Sequence, residues 1–296
     1  MADLAAAERW RALAVLVAGA MVIALAPILV RLADTGPAAI GFWRLTFALP
    51  LLAALGARNG GRGTFAPPSR PMLLAGVMFA LDLGFWHYGI IFTSVANATV
   101  LSNLTPVVVT AFAWIFLKQE PRRLFLVAVA LAVAGAWTMA VAKGGAPGRS
   151  PLLGDGLSLL TALWYAFYML SIGEARRRDG AARIMFWSSL VGAPLLLVGA
   201  LALREPLTPA HPGGWLALIG LGLVHVAGQG AIAWALGRLP TATASVVVLV
   251  QPVVAAMLGW ILFAEAMGPW QALGAAIALA GIVLAQWAAR PKAVQG

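Results

Sequence analysis

Long apolar stretches, each closed by a short polar gap, dominate the pattern along the chain. Ten are visible, over residues 12–33, 38–57, 71–92, 96–117, 123–142, 152–173, 183–203, 213–235, 242–263 and 269–288. Each is close to the ~20 residues that an α-helix needs to cross a ~30 Å hydrocarbon core. The gaps carry residues that end helices: Gly36-Pro37, Pro67-Pro68, Pro121, Pro147-Gly148, Pro206, Pro212-Gly213, Pro240 and Gly268-Pro269. The pattern predicts an all-α membrane protein of ten transmembrane helices. The first run is longer than the apolar region of a cleavable signal peptide, so it is expected to be a retained span.

Composition supports this and removes the alternatives. Of the 296 residues, 62% are hydrophobic and 10% charged, against roughly 25% charge in a soluble domain. A mean hydropathy of +0.91 over the whole length leaves too little polar surface for a water-facing shell. The net charge is +10, which in a soluble protein would suggest nucleic acid; here the basic residues sit in the gaps, where they orient helices. The partners implied are a lipid bilayer and a small solute, with no nucleic acid. Cysteine is absent, which excludes disulfides, thiolate metal sites and thiol catalysis.

If the N-terminus is cytoplasmic, the inside segments hold Arg9 and Arg11; Arg58, Arg62 and Arg70; Lys118, Arg122 and Arg123; Arg176, Arg177, Arg178 and Arg183; Arg238; and Arg290 and Lys292. The outside segments hold only Arg31, Lys143, Arg149 and Arg204. Fifteen against four places both termini in the cytoplasm.

The chain also repeats itself. An offset of 146 places Gly76 on Gly222, Gly84 on Gly230, Pro106 on Pro252, Trp114 on Trp260 and Gly135 on Gly281. Near the start of each half an offset of 144 matches Phe42-Trp43 to Phe186-Trp187 and Pro50 to Pro194. The division falls at residues 1–147 and 148–296, five helices each. Because five is odd, the second copy enters from the opposite side. The expected plan is two inverted repeats with a solute site between them near the midplane.

Polar groups inside spans are functional candidates, because an unpaired charge there costs several kcal/mol. On the third helix Phe79, Leu83 and His87 share one face, and the offset of 146 carries that face to His225 and Gln229 on the eighth. On the sixth, Ser158, Thr161, Trp164, Tyr165 and Tyr168 form a stripe whose hydroxyls would lack partners against lipid. The expectation is a cavity lined by these residues, apolar with a few polar points. Pro106 and Pro252 each free a carbonyl one turn back, near Asn103 and Gln251, which would bind an ammonium, make a hinge or form a static bend. In the tenth helix, Gly274 with Ala278 and Gly281 with Ala285 are pairs that permit close packing. Arg44 is expected to pair with an acid such as Asp34 or Asp155, to snorkel outward or to meet a substrate carboxylate, with the structural roles favoured. Asp82, the one mid-span carboxylate, is where proton coupling would reside; lacking a partner at helical spacing it is read as structural, tolerant of Asp82→Asn.

The chain contains no His-Glu-x-x-His motif, Gly-x-Ser-x-Gly elbow or phosphate-binding loop. It is expected to be no enzyme, to need no metal or cofactor, and to pass solute down a gradient.

Two segments resemble a known family. Asn103-Leu104-Thr105-Pro106 through Trp114 to Glu120, and Leu249-Val250-Gln251-Pro252 through Trp260 to Glu265, are similar to the proline-containing helix of the EamA domain. Two such five-helix halves resemble the drug/metabolite transporter superfamily, and within it the amino-acid exporters, aromatic ones above all. The resemblance implies an inner-membrane exporter working by alternating access. Aromatic or other neutral amino acids would suit the lining; so would a drug, a polyamine or a nucleotide sugar, and a passive channel is the remaining reading.

Overall fold

A computed structural model describes residues 2–58, 63–93, 98, 101–116, 118–143, 150–263 and 268–288, and all regular structure among them is helical. Arg62, Pro147, Gly148, Arg149, Glu265, Arg290 and Lys292 lie outside the described residues, as does the start of the fourth apolar run. Helices α1 (Ala2–Ile23) and α2 (Ala26–Leu32) fill the first run, followed by α3 (Pro37–Arg58) and α4 (Arg70–Phe92). The fourth run contains α5 (Thr105–Ile115), and α6 (Arg123–Lys143), α7 (Pro151–Ala175) and α8 (Ala181–Ala202) follow. The eighth consists of α9 (Pro212–Val224), a π-helical turn (His225–Gln229) and α10 (Gly230–Leu236). The ninth holds α11 (Thr241–Val248) and α12 (Val250–Phe263), and the tenth is α13 (Pro269–Ala288). Among the described residues nine helical segments are long and apolar enough to cross a membrane, with α5 the shorter tenth. Proline opens α3, α7, α9 and α13, where its missing N–H is one that no helix pairs.

Four runs that hydropathy reads as continuous are interrupted. Pro27 has no N–H for the carbonyl of Ile23 and its ring crowds that oxygen, so α1 ends there and α2 restarts beyond Leu25. Asn103 and Leu104 form a turn before α5, and Leu249 breaks α11 from α12. Each break lies three residues before a proline, and the offset of 146 superimposes Asn103 on Leu249. The carbonyl that Pro106 leaves open, that of Ser102, accepts the Thr105 hydroxyl at 3.0 Å. The fourth interruption, the π turn, widens the eighth helix by one residue, a distortion common at functional sites.

Large apolar side chains cover the outside of the bundle: Leu152 is 88% exposed, Leu216 73% and Val283 68%. Facing water, such a surface would drive aggregation; facing lipid, it is matched to its solvent. Lipid offers no hydrophobic drive between helices, so association depends on close contact. α6 and α13 supply it. A Cβ at Gly135 would fall on the backbone of Ala278, and one at Gly274 on the backbone of Gly135 and Met139. The register, Gly135 against Ala278 and Ala132 against Gly281, makes the pair antiparallel. α3 and α8 are also antiparallel, Leu45 meeting Gly192 and Gly41 meeting Leu196. So are α4 and α7, where Gly89 meets Ser158 and Thr93 meets Gly154.

Loops lock onto the ends of this core. The Trp43 indole donates to the carbonyl of Leu207 at 2.7 Å, and its counterpart Trp187 donates to that of Thr64 at 2.9 Å. The Glu205 carboxylate accepts from the Ala38 and Ala39 amides, at 3.2 and 2.9 Å, and from the Tyr88 hydroxyl. The helix N-terminus favours an anion there. Arg183 pairs with Asp179 and donates to the carbonyls of Ala66 and Pro67.

Candidate functional site

Between the helices lies a cavity of about 380 Å³, within the usual range of small-molecule pockets. Residues from both halves wall it. Phe79, Asp82, Leu83 and Trp86 come from α4, Thr161 and Tyr165 from α7, Gln229 from the π turn, and Arg44 from α3. Ser102, Asn103, Thr105 and Pro106 line it from one helix break, and Val248, Leu249, Gln251 and Pro252 from the other. Ala24, Pro27 and Arg31 from the first run, Met139 and Ala140 from α6, and Gln271 from α13 carry it toward one end of the bundle.

Toward the opposite end the cavity meets a stack of rings. Phe79 is 1% exposed; Tyr168 stacks on it at 4.5 Å between centroids and His225 at 5.3 Å. Tyr165 stacks on Tyr168 at 5.7 Å. Behind these rings, His225 Nε2 and Ser189 Oγ are 3.1 Å apart, and the Tyr168 hydroxyl donates to Met185 Sδ at 3.5 Å.

The polar lining is largely unspent. Among the described residues Asn103 Nδ2 and Gln251 Nε2 are buried without a hydrogen-bond partner, although buried polar atoms are nearly always paired; the Tyr165 hydroxyl and the Gln229 side chain have only each other. Arg44 is 4% exposed, its Nε has no partner, and its guanidinium lies 5.7 Å from the centroid of Phe79. Among the described residues Arg44 forms no ion pair with the acids at the helix ends: Asp34 engages His211 at 2.8 Å, and Asp155 accepts from the Thr93 hydroxyl at 2.7 Å. The carboxylate within electrostatic reach is Asp82, 8% exposed and on the same wall.

Of the residues singled out in the sequence, Phe79, Asp82, Leu83, Asn103, Pro106, Thr161, Tyr165, Gln229, Gln251 and Pro252 meet at this cavity. His87, Trp164, Tyr168 and His225 are not on its wall. Tyr168 and His225 lie behind Phe79. His87 is 5% exposed and lies beside the backbone of Pro37, and Trp164 contacts Phe85 edge-on at 6.0 Å. The reason is rotational: the cavity face of α4 is centred on residues 79, 82, 83 and 86, and His87, turned about 100° from Trp86, falls at its edge. That face would have picked out Trp86, which sequence reasoning passed over. The hydroxyls of the sixth helix need no interior partner either. Ser158 donates to the carbonyl of Gly154 at 2.8 Å and Thr161 to that of Leu157 at 3.1 Å, the back-bonding open to any helical Ser or Thr.

Comparison with known proteins agrees with this architecture. The EamA-like transporter family matches residues 10–141 and again 152–287. The chain belongs to that family. This EamA-like protein is a multi-pass membrane protein of a family of transporters, with two matching domains. An "Uncharacterized transporter" of Archaeoglobus fulgidus is 25% identical over 273 residues, covering 92% of this chain and 95% of the relative. A protein of known crystal structure superimposes with a TM-score of 0.80 at 18% identity, covering 95% of this chain and 99% of the other; that likeness concerns the fold.

Proposed function

We propose that this EamA-like protein exports amino acids with aromatic or other neutral side chains, and related small metabolites, across the cytoplasmic membrane by alternating access. The observation that carries the reading is a single cavity walled by both halves at matched helix breaks, Asn103–Pro106 and Leu249–Pro252, and stopped at one end by the Phe79 stack. A midplane cavity between two halves and closed at one end suits a carrier that faces one side at a time. The substrate lies against Phe79, Leu83, Thr161 and Tyr165, with the amides of Asn103, Gln229 and Gln251 for its polar groups.

The inverted arrangement, with halves at 1–147 and 148–296, has three supports. The equivalent helices α3 and α8 run antiparallel, as do α6 and α13. Trp43 and Trp187, matched by the offset of 144, make the same hydrogen bond to opposite loops. With the basic residues inside, the end of the bundle toward Arg31, Ala140 and Gln271 is the external one, which supports reading this conformation as outward-facing. Outward direction rests on the resemblance to amino-acid exporters. A solute panel in proteoliposomes, with and without an imposed pH gradient, tests substrate and coupling together. Flux of neutral amino acids that persists without the gradient is expected. Flux confined to cations or drugs would contradict the substrate, and flux that vanishes without the gradient would contradict facilitated export.

A further inference from the structure

We propose that Arg44 and Asp82 form a head-group site for a zwitterion, the guanidinium taking the substrate's carboxylate and the Asp82 carboxylate its ammonium, while the side chain lies against Phe79, Leu83 and Trp86. The inference rests on the amino-acid reading above and makes it specific. For Arg44 it takes up the substrate-carboxylate alternative over the structural roles favoured from sequence, and for Asp82 it replaces the structural reading.

Burial, position and the lack of partners carry the argument. Both side chains are more than nine-tenths buried and both line the cavity. Among the described residues neither forms an ion pair, and Arg44 Nε, like Arg183 Nε, is without a hydrogen bond. A guanidinium serving the fold would be spent on carbonyls or a carboxylate, as Arg183 is on Asp179, Ala66 and Pro67. Arg44 has instead the face of Phe79 on one side, which a cation tolerates, and the cavity on the other. Arg31, the other cation on the wall, lies near the mouth and is already engaged. Opposite charges held apart in one cavity match a solute that carries both, and they discriminate against a solute carrying one, because the unmet charge would stay buried and unpaired.

The test uses the full-length protein in proteoliposomes and three compounds with one side chain. Labelled phenylalanine is competed by unlabelled phenylalanine, by 2-phenylethylamine, which lacks the carboxylate, and by 3-phenylpropionate, which lacks the ammonium. Wild type should prefer phenylalanine to either analogue by roughly tenfold or more. In Arg44→Gln the preference over phenylethylamine should fall to near one while that over phenylpropionate persists; Asp82→Asn should show the converse. Arg44→Lys and Asp82→Glu should keep part of both preferences. Ligand-induced thermal stabilisation of the purified variants gives the same ratios where a variant no longer transports. Ratios that stay the same in wild type and both neutralised variants overturn the head-group site and leave the amino-acid reading standing. A wild type that neither transports nor is stabilised by any neutral amino acid overturns both.

Discussion

At Phe79 the rings of Tyr168 and His225 meet on a side chain that also bears the guanidinium of Arg44. Its removal is therefore expected to affect the site more than its own contact with solute. Phe79→Ala would leave a cavity worth about 3–5 kcal/mol and should lower folded yield. Phe79→Leu fills most of the space without the stack; it should remain monodisperse on size exclusion while solute uptake falls several-fold. Equal uptake in Phe79→Leu and wild type would show that the rings are packing only. A second residue-scale prediction concerns Glu205, which accepts from Tyr88 and from the first amides of α3. Glu205→Gln removes the charge from those bonds and should cost about 1–2 kcal/mol, read as a lower Tm in detergent. Little of this was legible in the sequence. Residue type pointed to Phe79, Asp82 and Tyr165, but which neighbours share their face depends on a helix rotation of one residue, and that difference separates Trp86 from His87. Whether a buried charge has a partner depends on helices far away in sequence, which is why the sequence leaves pairing, snorkelling and substrate contact all open for Arg44.

The ten runs, by contrast, were legible as elements because length and hydropathy alone set what can cross a bilayer, and turn residues mark the ends. The breaks within them were not. Hydropathy stays constant through Ala24-Leu25, Leu249 and the π turn at His225–Gln229, so no periodicity registers a one- or two-residue defect. Proline gives the place of a defect without its size: Pro50 and Pro194 lie inside uninterrupted helices, whereas Pro106 and Pro252 follow breaks. The close pair α6–α13 was foreshadowed by the small residues of the tenth helix. Gly135→Leu should destabilise it by about 1–3 kcal/mol, because a side chain there meets the backbone of Ala278. Gly156→Leu, on an exposed part of α7 with nothing near its Cβ, should leave Tm within about 1 °C of wild type. Matching losses in the two variants would contradict the proposed packing role of Gly135.

The arrangement of the whole molecule makes its own demands. Single cysteines can be placed without removing native ones, since the chain has none. In intact cells an impermeant maleimide should label Thr208→Cys, in the loop between α8 and α9, and should not reach Arg178→Cys, between α7 and α8. The reverse result would invert the membrane sidedness and with it the outward-facing assignment. The central claim is that the cavity is a carrier site that faces one side at a time. Counterflow tests it most directly: proteoliposomes loaded with unlabelled phenylalanine are diluted into a trace of labelled phenylalanine. The account predicts transient accumulation of label above its equilibrium level, abolished when the internal phenylalanine is omitted. Label that only equilibrates, at a rate unaffected by solute on the far side, would contradict alternating access.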